Sequence, residues 1–285
     1  MEEFQSEIVK IQNSFKKREV KLRTLEGSAF PQLIVTVPES WETIQLAPLY
    51  DVHLGSGEMD LALFQEHMDW IKRTKNVLTW NGGDLVENAN KYSPGASVIV
   101  QKIPPQEQLY EAARILAPIQ HKMLFAIPGN HEDRTFAAAG IDSAKFLAEN
   151  LQLPYFPDYV FCTIRWRGNN FRIMAHHGSG ASSTPGAQRN AARKDLPWAG
   201  KMDLVWTGHL HQPMTDLVFQ AEYDQKTGEM IERNSLVIIS PSYVKYFGGY
   251  AAKRRMAPGV RGLGVAILNA NGRIDASMHA RGKRL

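Results

Sequence analysis

Five short polar clusters punctuate the chain, each directly after an apolar stretch: Asp51-x-His53, Gly83-Asp84, Gly129-Asn130-His131-Glu132, His176-His177-Gly178 and Gly208-His209-x-His211. Neutral imidazole, carboxylate and an amide oxygen suit divalent first-row ions such as manganese, iron, zinc or nickel. They disfavour calcium, whose shell is nearly all oxygen. Two ions about 3.5 to 4 Å apart need a ligand that bridges them, and a carboxylate with two oxygens does so. Asp84, reached through Gly82-Gly83 where the backbone can turn tightly, is the natural bridge. The chemistry implied is hydrolysis at a two-metal site. Six of the nine histidines lie in these clusters, and only His67, His121 and His279 fall elsewhere, which separates a site from a scatter.

Such residues act together only if the fold brings them to one edge. Apolar spacing predicts an amphipathic helix through Phe4, Ile8, Ile11 and Phe15, ending near Lys16-Lys17-Arg18 and packing on the domain or on a second subunit. Strands are expected at 33–37, 44–50, 76–80 and 123–127. Helices follow at 61–71 and from Gln106 to about Pro118, and 89–105 reads as a loop. Strand-helix-strand alternation at this spacing implies parallel pairing. Further on, 160–166 and 171–175 flank Gly168-Asn169-Asn170 as a hairpin. Strands at 204–207, 217–223 and 236–239 precede a final pair, 264–268 and 273–278, around Asn271-Gly272. The polar clusters then follow the C-terminal ends of strands, where open α/β sheets place their ligand crevice. The fold class read from spacing is α/β, in one domain without internal repeats.

Composition sets the outer limits. The chain has 285 residues, 44% of them apolar, enough for a sizeable core. The single cysteine, Cys162, excludes an intrachain disulfide and any multi-thiolate metal centre. No apolar run approaches the roughly 20 residues that cross a bilayer, and the N-terminus carries no signal-peptide pattern, so a soluble, cytoplasmic protein without membrane partners is expected. The net charge of +4 is uneven: residues 241–285 hold nine Lys or Arg against Asp275, leaving about −4 on the rest. A basic tail beside an acidic body suits polyanions, and it also suits a merely solvated end. Tyr243, Tyr246, Phe247 and Tyr250 interleave with these cations, either as faces for nucleic-acid bases or as packing on the sheet.

In type and order the five clusters resemble the signatures of the calcineurin-like metallophosphoesterases, from Asp51 to His211. The resemblance implies a four-layer αββα sandwich with two central mixed β-sheets. Residues 1–40 would form an N-terminal helix and lead-in strand, and 41–285 the phosphoesterase domain, with the basic segment 241–285. It implies one ion held by Asp51, His53, Asp84 and His211, and a second by Asp84, Asn130, His177 and His209, manganese being the expected metal ahead of iron, zinc or nickel. His176 and His177 compete for one position; His177 is chosen because the ligand of this family precedes the glycine. A hydroxide bridging the ions would attack phosphorus, His131 would protonate the leaving alkoxide, and Glu87 would orient His131.

The departures from the family pattern bear on substrate. Where protein phosphatases of the superfamily carry an arginine, this chain has Asn88, which leans toward a phosphodiester with its single charge. Arg134, Arg189, Arg193 and Lys194 are candidate replacements, and Tyr250, Lys253 and Arg254 are candidates for the mouth of the site. The segment Ser179 to Gly200 reads equally as a charged flap or a short surface helix. The expected function is a phosphodiesterase or nuclease acting on nucleic acid or nucleotide diesters. The alternatives are a phosphomonoesterase and a non-catalytic metal-binding scaffold.

Overall fold

In the computed structural model, residues 2–93, 97–180, 184–247, 250–253, 255, 258–280 and 283–284 are described. Among them the chain begins with α1 (Glu2–Asn13), β1 (Lys21–Thr24), β2 (Gln32–Thr36), β3 (Thr43–Leu46), α2 (Leu61–Arg73) and β4 (Val77–Asn81). Then come α3 (Ser97–Val100), α4 (Pro105–Leu116), β5 (Met123–Ala126), α5 (Asn130–Ala139), α6 (Ser143–Asn150), β6 (Tyr159–Trp166) and β7 (Asn169–His176). The last part contains α7 (Pro185–Arg193), α8 (Leu196–Ala199), β8 (Leu204–Thr207), β9 (Met214–Asp224), β10 (Glu229–Ile239), α9 (Tyr250–Lys253), β11 (Gly262–Asn269), β12 (Ile274–Ala280) and β13 (Lys283–Arg284).

The strands form two mixed sheets, ordered β1-β2-β6-β7-β8-β10-β9 and β13-β12-β11-β3-β4-β5. Alternation along single strands explains why they stack. In β8, Leu204 and Trp206 enter the core between the sheets, whereas Val205 faces the side of α7 and α8. In β4, Leu78 and Trp80 point into that same core and Val77 points toward α2, α4 and α6. The inner strands thus bury both faces, one on the opposite sheet and one on helices, and the result is the four-layer αββα sandwich. Trp80 stacks on Phe125 at 5.3 Å and meets Trp206 edge-on at 5.5 Å. The hydroxyl of Tyr50 accepts from Trp80 Nε1 (3.2 Å) and donates to the Trp206 carbonyl (3.2 Å), fixing the residue directly before Asp51.

Several elements differ from expectation. The first helix stops at Asn13, and Ile11 and Phe15 pack on the helix-side core of the same chain. The Gln12 amide donates to the Asn150 carbonyl at 3.2 Å. Strand β1 escaped sequence reading because it is a short, exposed edge strand. Helix α3 lies inside the expected loop, and α5 and α6 follow the Asn130 cluster where no helix was expected. The strand expected at 44–50 is regular only to Leu46, with Leu49 bridging to Asn81 beyond it. The 168–170 hairpin turns at Arg167 (φ 47°) and Gly168 (φ 75°), both left-handed, as the twist of paired strands requires. Strands β9 and β10 form a long ribbon, of which only Leu236–Ile239 also pairs with β8. No helix among the described residues is long and apolar enough to cross a membrane.

Candidate metal centre

The crevice lies where β3, β4 and β5 of one sheet and β7 and β8 of the other release the chain. Each loop that leaves there is bent by its backbone. Asp51 (φ 50°), His53 (φ 52°), Asp84 (φ 51°), His209 (φ 67°) and His211 (φ 54°) all occupy the left-handed region. For a residue with a side chain this costs of order 1 kcal/mol or more each, and such conformations persist where surrounding packing over-determines them. Glycine also permits close approaches between the ligand loops. A Cβ on Gly83, at φ 95°, would sit 2.6 Å from His177 Nδ1, and one on Gly129 would collide with the side chain and amide of Asp84. Gly129→Ala is therefore expected to displace Asp84, destabilising the fold by about 1–3 kcal/mol and lowering bound metal. Thermal melting with metal analysis checks this.

The polar atoms converge in groups whose members lie within 4.8 Å of one another: Asp51, His53 and His211; Asp84, His177 and His209; and His53, Asp84 and His131. Asp84 Oδ2 stands 3.3 Å from His177 Nε2, 3.8 Å from His53 Nε2 and 3.7 Å from His131 Nε2. His211 Nε2 lies 3.1 Å from Asp51 Oδ1. Donors about 2.1 Å from a shared ion are themselves separated by about 3.0–3.4 Å, so the His177–Asp84 and His211–Asp51 spacings fit ligands around cations, while His53 and His131 stand slightly wider of Asp84. His177 reaches the cluster, while His176 turns the other way, its Nε2 3.2 Å from Asp195 Oδ2.

Outer contacts fix which nitrogen faces the centre. His177 Nδ1 donates to the Gly82 carbonyl (3.0 Å), leaving Nε2 inward, and His209 Nε2 donates to the Gly180 carbonyl (2.8 Å), leaving Nδ1 inward. His53 Nδ1 is held by Glu87 Oε2 at 3.1 Å, and its Nε2 is buried without a hydrogen-bond partner. A buried imidazole nitrogen with no hydrogen-bond partner, aimed at a carboxylate cluster, fits the role of a cation ligand. Asn130 Oδ1 faces His209 Nδ1 (2.8 Å) and His177 Nε2 (3.2 Å), an acceptor among acceptors that a cation would reconcile. The reversed amide would instead donate to them and accept from Arg134, an arrangement suited to the ion-free chain.

Electrostatics without the ion point the same way. Burial alone would raise the Asp84 carboxyl, but His177 and His131 outweigh it and hold Asp84 well below the usual range. Burial would lower His177, yet Asp84 pushes it up to about 10; His53 reaches about 9 against burial through Glu87 and Asp84. Positive charge is thus favoured at His53 and His177, whereas burial and His177 push His209 down, and metal binding to such a site displaces protons.

Glu132, the last residue of the Gly129-Asn130-His131-Glu132 cluster, organises the site. It is buried, and its carboxylate accepts the backbone N–H groups of Gly129 (2.8 Å), Asp84 (2.9 Å), Leu85 (3.0 Å) and Val86 (3.2 Å), clamping two ligand loops together. Burial and the Asp84 charge push this carboxyl up to about 7, against the backbone donors. The available signal was a glutamate three residues after Gly129, where α5 starts, a helix-capping spacing. Glu87 acts through two groups. Its carboxylate is closer to His53 than to His131 Nδ1 (3.7 Å), while its backbone carbonyl accepts from His131 Nδ1 at 2.7 Å.

The other candidates are spread. Asn88 does not face the cluster; its amide donates to the His131 carbonyl (3.2 Å) and Ser143 Oγ (3.2 Å), tying α5 to α6. The Arg134 guanidinium stands 3.3 Å from His131 Nδ1. The 179–200 segment contains α7 and α8, and both Arg189 and Arg193 pair with Asp216 of β9, so neither contacts the cluster. Lys194 bonds Ser179 Oγ beside a cavity next to His177 and His209. Lys253 is exposed on α9, nothing is described for the Tyr250 side chain, and Arg254 lies outside the described residues. Of the interleaved aromatics, Tyr243 packs in the core, whereas Phe247 is 87% exposed.

No protein-family profile and no curated protein matches the chain. Among solved structures, it is similar to a conserved uncharacterized protein, a predicted phosphoesterase, from Streptococcus pneumoniae, at 12% identity over 85% of this chain and 100% of that one, with a TM-score of 0.35. It is also similar to a Thermotoga maritima protein, at 13% identity over 83% of this chain and 99% of that one, with a TM-score of 0.34. The weight falls on the site itself: the motifs that resemble the calcineurin-like signature meet in one crevice as buried His and Asp clusters consistent with a two-metal centre.

Proposed function

We propose that the protein is a two-metal-dependent phosphoesterase with a preference for phosphodiesters, nucleic acid or nucleotide diesters being the favoured class. The observation that carries this is the convergence of Asp51, His53, Asp84, His131, His177, His209 and His211 into three overlapping groups, in which Asp84 joins His53 and His131 on one side and His177 and His209 on the other, with Asn130 Oδ1 facing the last two. Asp51, His53, Asp84 and His211 would hold one ion, and Asp84, Asn130, His177 and His209 the other. Bound divalent ions, manganese first, supply an activated water and neutralise charge at the phosphoryl group. Glu87 and the carbonyls of Gly82 and Gly180 orient the imidazoles, and His131 stands where a leaving oxygen needs a proton.

His209→Ala and His211→Ala are expected to empty different positions of the pair, read by metal stoichiometry; loss of the same ion in both would overturn the division. The diester preference follows from Asn88, which brings no charge to the crevice. Arg134 beside His131 is what favours the second reading, a phosphomonoesterase. Parallel assays with added manganese decide between them. Bis-p-nitrophenyl phosphate and labelled DNA should be cleaved at least about 10-fold more efficiently than p-nitrophenyl phosphate, the step a single kcal-scale charge contact produces. Turnover of the monoester alone would reverse the assignment, and no turnover with any substrate or ion would mark a non-catalytic scaffold.

A further inference from the structure

We propose that the cavity beside the second ligand group is a nucleoside subsite, walled by Trp198, for the substituent that stays on phosphorus. This rests on the phosphoesterase reading above. The cavity encloses about 580 Å³ and is lined in part by Asn130, His177 and His209, so a phosphoryl group held at the ions has one substituent inside it. His131 does not line it, which places the departing group elsewhere. A volume of that size suits a ligand of nucleoside dimensions.

The wall is built for an aromatic plane. Trp198 is 49% exposed yet pinned: its indole N–H donates to Asp195 Oδ1 at 3.1 Å, and its ring meets Tyr159 edge-on at 5.5 Å and Phe161 at 6.3 Å. Asp195 also lies 3.2 Å from His176 Nε2, which gives the second histidine of the His-His pair a place on this wall. A rigid, half-exposed indole gains burial and stacking when a base lies on it. Charge is divided across the cavity. Lys194 lines it together with the ligand histidines, and besides Asp195, which is engaged by Trp198 and His176, Asp133 and Asp158 line it as well. Carboxylates repel a phosphate and accept from the exocyclic amino groups of a base. A cation, an aromatic face and two acids match the phosphate, ring and amino edge of a nucleotide. A phosphotyrosine ring would leave both acids without donors.

The test compares adenosine 5′-(p-nitrophenyl phosphate) with methyl p-nitrophenyl phosphate, which share a leaving group and differ in the nucleoside. Stacking on an aromatic side chain is lost by about 5- to 150-fold on alanine substitution, so the wild-type ratio of kcat/KM should exceed 10. It should collapse toward one in Trp198→Ala and be largely retained in Trp198→Phe. A wild-type ratio near one, or a ratio unmoved in a Trp198→Ala protein that melts normally, overturns the subsite. A second arm uses the metal-free protein. Adenosine 5′-monophosphate should quench tryptophan fluorescence, and Trp198→Phe should remove most of the quench. Equal binding of ribose 5-phosphate, or tighter binding of phenyl phosphate, overturns the nucleoside assignment. If neither ester is cleaved with any divalent ion, the phosphoesterase reading fails and the binding arm alone decides the subsite.

Discussion

Asp84→Asn is expected to remove both metal positions at once and to reduce turnover by more than about 100-fold, the upper end for loss of a mere outer-sphere partner. The substitution keeps the volume and removes the charge. Asp84 Oδ2 is the one atom within 4 Å of imidazole nitrogens from His53, His131 and His177, and Oδ1 accepts the His131 backbone N–H at 2.8 Å. Among the described residues Asp51 Oδ1 also reaches both groups, but more loosely on the second side. Asp51, also fully buried, lies 3.1 Å from His211 but 4.0 Å from His177. Metal analysis of the purified variant, beside steady-state kinetics, reads the outcome. Retention of two ions per chain would show that Asp84 does not bridge.

His131→Ala is expected to behave differently: metal content stays at the wild-type level while turnover falls by about 10²- to 10⁴-fold, the usual contribution of a positioned proton-transfer group. The geometry makes this a sharp test, because His131 offers a ring nitrogen within 4.8 Å of ligand atoms of both Asp84 and His53, as a ligand would. Burial holds the His131 imidazole down at about 4 despite Asp84, so in the ion-free chain the ring is neutral near pH 7, with its proton on Nδ1 donated to the Glu87 carbonyl. Negative charge on a bound phosphate and its leaving oxygen favours the protonated ring. Loss of an ion along with His131 would convert it from proton donor to ligand.

Much of the site was legible before folding was considered. Residue types gave the donor chemistry, and the apolar run before each cluster gave its place at a strand end. Amphipathic patterns also gave the parallel strand-helix-strand half and both hairpins, because period-2 and period-3.6 burial are local properties of sequence. Helix α5 is hidden because its first residues belong to the Asn130 cluster, and α6 because its eight residues are too few to show a helical period. The 179–200 segment reads ambiguously because Thr184 and Pro185 start a helix whose residues mostly remain exposed, so no apolar stripe marks it.

The sequence by itself determined which atoms can ligate, in what order, and that no thiolate takes part. Only the tertiary structure decided which of them meet. It chose His177 over His176, because neighbours along a strand face opposite sides. It turned Arg189 and Arg193 onto Asp216 of β9, and it buried Asn88 between α5 and α6. It also imposed left-handed backbone at Asp51, His53, Asp84, His209 and His211, a strain set by both sheets closing on the crevice rather than by any residue's own preference. Contacts between residues 51, 84, 130, 177 and 209 are long-range, and spacing along the chain carries no distance across it.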